Sequence, residues 1–413
     1  MNILCKSSLP KNEKCFVIQP KKLPTGLVFL FAIASGLSVA NVYYVQPLLD
    51  AIARDLAISY AAVGSVILVT QIGCAVALFL LVPLGDRINR RRLMLFQLLA
   101  LCAALIAVSI TKTTLSLFAS MFAVGLLGTA MTQGLIAYAA SVADLHERGY
   151  VVGTAQSGVF IGLLLARVFA GAISDVAGWR NVYFCAAMLM LMIAIPLWKS
   201  LPVLANPQYK LSYPRLLGSM LSLLYHNQIL QIRGLLALLM FAAFNIFWSA
   251  LVLLLSSAPY HYSHTAIGAF GLVGVLGALM ATKAGQWADQ GFAQRTSGFA
   301  LLIILLSWVA FTQIEYSIAA LIIGILLLDL GGQALHVTNQ SMIFQTQQDN
   351  QSRLVGLYML FYAAGSGLGA ISSTLTYART GWQGVCVLGA CISIMALLFW
   401  WITRHVKHDS MPV

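Results

Sequence analysis

The stretch Val82-Pro83-Leu84-Gly85-Asp86-Arg87-Ile88-Asn89-Arg90-Arg91-Arg92 decides how this chain is read. It sets an acid and a block of arginines between two apolar runs, near 60–84 and 93–111. Crossing a bilayer takes about 20 apolar residues, and both runs have the length. A charged turn between two such runs lies at a membrane surface. The same alternation continues in both directions along the chain. Of 413 residues 60% are hydrophobic and 9% charged, against about 25% charged in soluble proteins. So few charges cannot cover a soluble surface of this size. That excludes a soluble enzyme, a secreted disulfide scaffold and a disordered regulator.

Twelve spans are predicted. They lie near 25–49, 60–84, 93–111, 114–142, 151–174 and 181–200, then near 232–257, 264–287, 296–314, 316–339, 354–377 and 383–403. The expected fold is an all-α membrane protein of twelve transmembrane helices in two pseudo-symmetric six-helix bundles. The expected organisation is a basic tail (1–22), an N-terminal bundle (23–200), a linker with an interfacial helix (201–231), a C-terminal bundle (232–403) and a short tail (404–413). The first span is too long for the apolar region of a cleavable signal, and no small-x-small site closes it.

The net charge of +12 sits in the connections rather than on one basic face. It therefore carries topology, and no nucleic-acid partner is expected. With the N-terminus placed inside, the opposite loops hold only Arg54, Lys112, Arg180 and Arg379. The expectation is a multi-pass protein of the cytoplasmic (inner) membrane with both termini cytoplasmic. The seven cysteines are scattered, without CxxC or zinc-like spacing. No metal and no cofactor are expected.

The halves repeat. Gly178-Trp179-Arg180 and Gly381-Trp382-Gln383 open spans six and twelve, 203 residues apart. The same offset relates Asp86 to Asp289, Arg92 to Arg295, Gly153 to Gly356 and Gly162 to Gly365. Repeated halves joined by a long linker are the pattern of alternating-access transporters.

On these residues the chain resembles a twelve-span member of the major facilitator superfamily, of the bacterial efflux-type branch. Val82–Arg92 is similar to the signature loop between spans two and three, departing at Val82 and Asn89, where glycines are usual. Asn41-Val42-Tyr43-Tyr44-Val45-Gln46-Pro47-Leu48-Leu49 is similar to a span-one signature of one branch. The branch's span-five motif, Gly-x-x-x-Gly-Pro-x-x-Gly-Gly, corresponds to Gly162–Gly171 with Arg167 at the proline, which departs from drug/proton antiporters. The resemblance implies a monomer whose cavity is lined by spans one, four, seven and ten, with spans five and eight meeting between the halves. It also implies that Asp86 holds the inner side shut against the start of span eleven. Arg87 belongs to the same gating loop, Arg90, Arg91 and Arg92 would anchor to lipid or acids, and Asp289 would mirror Asp86.

Asp329 is the one acid deep in a span. A charge there costs about 2.5–3.5 kcal/mol on insertion scales, so it is a candidate proton carrier or a structural ion-pair member. Arg167 is its nearest candidate partner. By helical rise the two lie about 12 Å and about 21 Å from the outer ends of their spans. Arg167 could instead read an anionic solute or snorkel outward. His336 is a second proton-carrier candidate. Asn41, Gln46, Gln133, Asn245, Trp248, Gln333, Asn339 and Gln340 are candidate cavity residues or helix–helix hydrogen bonds. Gly158, Gly162, Ala166 and Ala170 on span five, and Gly268, Gly271, Gly274 and Gly277 on span eight, make smooth ridges suited to the meeting of the halves. His261 and His264 flank a turn outside the membrane.

The expected function is secondary transport of a small organic solute, by efflux in exchange for protons. The alternatives are facilitated or proton-coupled uptake and, more remotely, a membrane enzyme or sensor. No Walker loop, HExxH or nucleophile motif is present, so no enzyme activity is expected.

Overall fold

A computed structural model of the chain describes residues 23–85, 87–144, 147–202, 212–344 and 351–405. The gating expectation for Asp86 and the side chain of Asp289 lie outside the described residues, as do most of the tails and the middle of the linker. All regular structure among the described residues is helical. Spans one to six are Thr25–Asp55, Tyr60–Leu84, Arg90–Ser109, Thr114–Val142, Arg148–Ala177 and Trp179–Ser200. A helix at Tyr213–His226 follows. Span seven is Gln228–Leu255, span nine Gln290–Phe311 and span ten Ile318–Phe344. Spans eleven and twelve form one helical stretch, Gln351–Thr403, broken at Gly381. Odd-numbered spans start at the face that also carries Leu23 and His405, the first and last described residues, here the terminal face; the opposite one is the far face.

The internal repeat is physical. Gly178 (φ 85°, ψ 159°) and Gly381 (φ 65°, ψ −161°) break two long helices into spans five and six and spans eleven and twelve. Only glycine adopts this backbone region without strain. The tryptophan after each is buried and donates its indole N–H within its own half. Trp179 donates to Asp55 Oδ2 at 3.3 Å and Trp382 to the Phe311 carbonyl at 2.8 Å. Gly162 and Gly365 also do one job: each lets its helix press on a backbone carbonyl, at Gly36 of span one and at Leu238 of span seven. Such small residues supply close packing where lipid gives no hydrophobic drive.

Asn89 starts span three: its side chain accepts from the Arg92 amide. An N-cap contact explains asparagine where the motif usually has glycine, since both are accepted there. Arg90 donates to the Gly85 and Ala137 carbonyls at 3.1 Å and to Ser141 Oγ at 3.0 Å; Arg91 donates to the Trp198 carbonyl. These arginines tie the loop to spans four and six of the same half.

The linker helix Tyr213–His226 buries Leu216 and Met220 against Leu354, Leu357 and Tyr358 and exposes Leu221 and Tyr225. Tyr213 Oη donates to the Leu80 carbonyl of span two at 2.7 Å, so the helix touches both halves.

Span eight is not one α-helix. Its pieces are His264–Ala269, a 3-10 turn at Phe270–Gly274, and Val275–Trp287. Three residues per turn set positions i and i+3 above one another, so Gly271 and Gly274 form a flat ledge. The ridge on span five behaves differently from expectation. Gly158 and Gly162 pack on Ala32 and Gly36 of span one, inside the half. Span eight is met instead at Arg167, whose carbonyl faces Gly268, and at Gly171, which faces the His264 carbonyl. Every fourth residue tracks one helix face, and that face was already taken by span one.

Candidate functional site: a cavity between the halves

A cavity of about 350 Å³ lies between the two halves. Its walls are the terminal-face portions of spans four, five, ten and eleven and the middles of spans one, two and seven. Phe160, Phe241, Phe244, Met240, Met359 and Tyr362 make it largely apolar and aromatic. Five glutamines, Gln71, Gln133, Gln156, Gln333 and Gln340, add neutral donors and acceptors. Among the described lining residues Asp329 is the only acid, and no lysine or arginine lines the space.

Asp329 projects from span ten beside the glycine ledge. A Cβ added at Gly274 would stand 2.9 Å from its Oδ2, and one at Gly277 3.1 Å from its own Cβ. Asp329 is 6% exposed and has no hydrogen bond or ion pair to another described residue. Arg167, 2% exposed, approaches the same ledge from span five, with its Cδ 3.1 Å from a Cβ built at Gly271. The direct Arg167–Asp329 bridge does not form. Arg167 Nε donates to Gln46 Oε1 at 3.0 Å, and Gln46 Nε2 donates to Asn245 Oδ1 at 3.2 Å. The guanidinium stacks 4.0 Å over the Trp248 ring and leaves Nη2 without a hydrogen-bond partner. This plug joins spans one and five to span seven and closes the cavity toward the far face.

His336 lines the cavity, with Nδ1 2.9 Å from Tyr358 Oη and Nε2 3.4 Å from Gln340 Nε2. A neutral ring donating from Nδ1 and accepting at Nε2 satisfies both contacts.

The candidate cavity residues divide. Gln133, Gln333 and Gln340 line the space. Gln46, Asn245 and Trp248 sit in the plug. Asn41 is turned onto its own helix, Nδ2 donating to the Leu37 carbonyl at 2.9 Å. Asn339 is fully buried behind the wall, accepting from Arg233 Nη1 at 3.4 Å, with Ser297 Oγ at 2.9 Å from the same nitrogen. Sequence reasoning missed Gln71 on span two, Gln156 on span five and Tyr362 on span eleven. Each is a polar group inside an apolar run, which is a readable signal; helix rotation, which selects among such residues, is not.

On the far side of the plug His264 lies between two carboxylates, its Nε2 2.9 Å from Asp50 Oδ1 and its Nδ1 2.9 Å from Asp175 Oδ1. Asp175 also caps span eight, accepting from the His264 and Thr265 amides at 3.0 and 2.8 Å and from Thr265 Oγ1 at 2.6 Å. The far face is thus closed by two layers of side-chain contacts.

Two repeated six-helix bundles around a central cavity, closed at one face, define a membrane transporter. The Major Facilitator Superfamily model matches residues 31–346 and 234–412, and the chain belongs to that superfamily. It is 43% identical over 391 residues to the uncharacterized transporter YgaY of Escherichia coli O157:H7, covering 93% of this chain and 97% of that one. It is 23% identical over 394 residues to a probable sugar efflux transporter of Helicobacter pylori strain HPAG1, covering 90% and 93%. Among solved structures, a bacterial homologue of the human lysosomal transporter Spinster, inward-facing and unoccupied, superposes with a TM-score of 0.75 at 14% identity, covering 91% of this chain and 96% of that one.

Proposed function

We propose that this transporter exports a small organic solute across the cytoplasmic membrane by alternating access, in exchange for protons, acting as a monomer with both termini cytoplasmic. The observation that carries the proposal is Asp329: a carboxyl group on the wall of a cavity with no other acid, lysine or arginine among its described lining residues, without a hydrogen-bond or ion-pair partner among the described residues, beside a buried arginine. Burying an ionised, unpaired carboxylate is costly. Two states avoid that cost, a protonated Asp329 or an anionic Asp329 with Arg167 beside it. In the first, Arg167 stays on Gln46 and Trp248 and the closed far face is favoured, so that opening is rarer but not abolished. In the second, the guanidinium crosses the ledge toward Asp329, leaves the plug and loosens the far face. Losing the proton to the cytoplasm therefore opens the outward path, and a proton taken from outside resets it.

The relation to a probable sugar efflux transporter supports export. The cavity suits an uncharged or singly charged organic molecule with an aromatic or aliphatic face and hydroxyl or amide groups for the glutamines. Arginine in place of the usual span-five proline favours the second reading, facilitated or proton-coupled uptake. Inside-out vesicles with an acid interior separate the two. A panel of organic cations, anions, sugars and nucleosides is added while the pH gradient is followed. Compound-dependent collapse of the gradient supports antiport; binding without collapse supports the second reading.

A further inference from the structure

We propose that His264 is a second proton site, at the far face, and that its proton locks this face shut by bridging the two halves. Each ring nitrogen lies 2.9 Å from a carboxylate oxygen, Asp50 Oδ1 on span one and Asp175 Oδ1 on span five. A carboxylate only accepts, and a neutral imidazole has a single N–H. To make both contacts the group must hold one proton more than a neutral histidine between two carboxylates.

The surroundings are built for that cation. The histidine side chain is 15% exposed and that of Asp50 1% exposed, so screening by water is limited. Arg54, on the same helix as Asp50, donates from Nη2 to the other oxygen, Asp50 Oδ2, at 2.7 Å and orients the carboxylate. Asp175 is fixed by the Thr265 hydroxyl and by two amides of span eight. The further charged groups on the packed elements are Arg167, inward on span five, and Asp55, which pairs with Arg180 of span six. Tyr260, His261 and Tyr262 precede His264 on its own segment. Span seven brings no charged residue to this end.

His264 belongs to the C-terminal half and both carboxylates to the N-terminal half. When the far face opens, span eight leaves spans one and five and the histidine loses both partners. It then binds its proton less tightly than in the closed state, so protons favour closure by linkage. The lock is fully present at low external pH and is lost as pH rises. A proton arriving from outside thus drives the outward-open protein shut, in the direction the export cycle needs. The inference rests on alternating access but not on Asp329 as the coupling group.

The test is spin-label distance measurement across the far face. Labels are placed at Lys112→Cys and Tyr316→Cys, in loops of opposite halves, in full-length protein freed of its native cysteines and held in lipid nanodiscs. Over a scan from about pH 5 to about pH 9, which brackets ordinary histidine titration, the long-distance population should grow as pH rises. The same growth should persist in Asp329→Asn. In the Asp329→Asn background, which removes the other titrating group, His264→Gln should raise the long-distance population at low pH and lose the response, and Asp50→Asn should move the midpoint to lower pH. In that background a response that survives His264→Gln, an unshifted midpoint in Asp50→Asn, or indifference to pH with His264 intact overturns the proposal. A response lost in Asp329→Asn and kept in His264→Gln also overturns it, while leaving proton-coupled export standing.

Discussion

Arg167 and Asp329 approach one glycine ledge from two halves of the molecule without pairing. Arg167 lies against Gly271 and gives its Nε–H to Gln46 at 3.0 Å; Asp329 lies against Gly274 with its carboxyl group at the cavity wall. The ledge is one 3-10 turn of span eight, so an arginine that left the plug along it would exchange Gln46 for the acid.

The ledge must stay bare. Gly274→Ala places a Cβ 2.9 Å from Asp329 Oδ2 and 3.3 Å from Leu164 Cδ2. The backbone there is ordinary α-region (φ −61°), so the cost is local crowding of about 1–3 kcal/mol. The protein should still fold, with a lower melting temperature, while solute transport falls at least about tenfold because Asp329 is displaced; about 1.4 kcal/mol on a transition state suffices for that. Melting in detergent and initial transport rates check both halves of the prediction.

Arg167→Lys should fail to rescue the plug. A lysine can supply charge, but not the planar stack on Trp248 together with an Nε–H for Gln46. The far face should open more often, seen as faster labelling of Cys74, which lines the cavity, by a membrane-impermeant thiol reagent added from outside. Trp248→Phe keeps a ring and should change labelling less than Trp248→Ala.

Asn89→Gly should cost only a few tenths of a kcal/mol and Asn89→Ala about 1 kcal/mol, as expected for an N-cap. Transport by both should stay near wild type. Equal destabilisation by the two substitutions would contradict the capping role.

Gly178→Ala tests the repeat as a backbone device. Nothing lies within 4 Å of a Cβ at this position, so any loss comes from the positive φ alone, on the order of 1–3 kcal/mol. Gly381→Ala, whose Cβ also meets nothing, should cost a similar amount.

Much of the fold was legible in the sequence because bilayer thickness imposes a length on every apolar run and the two halves carry matching punctuation. Gly178 and Gly381 are the clearest instance: the offset of 203 marked them, and both hold the same unusual backbone. The broken course of span eight was less legible, since glycine at every third position reads equally as a smooth helix face. Asp329 stood out because a lone carboxyl group in an apolar run is expensive. Its environment did not, because which of Gln46, Gln133, Asn245 and Gln333 shares a layer with it depends on helix rotation. The His264 cluster was the hardest to read. Asp50 lies 214 residues away in sequence and Asp175 89, and each sits at the end of a span where a charge is ordinary.

The central claim is that Asp329 carries the coupling proton. The most direct test reconstitutes wild type and Asp329→Asn in proteoliposomes, with a solute found by the vesicle panel. Solute exchange between two pools and proton movement accompanying net transport are then measured. The account predicts that wild type moves protons opposite to the solute, and that Asp329→Asn keeps exchange but moves no protons and builds no gradient. Accumulation by Asp329→Asn equal to wild type, with protons still moving, would contradict it.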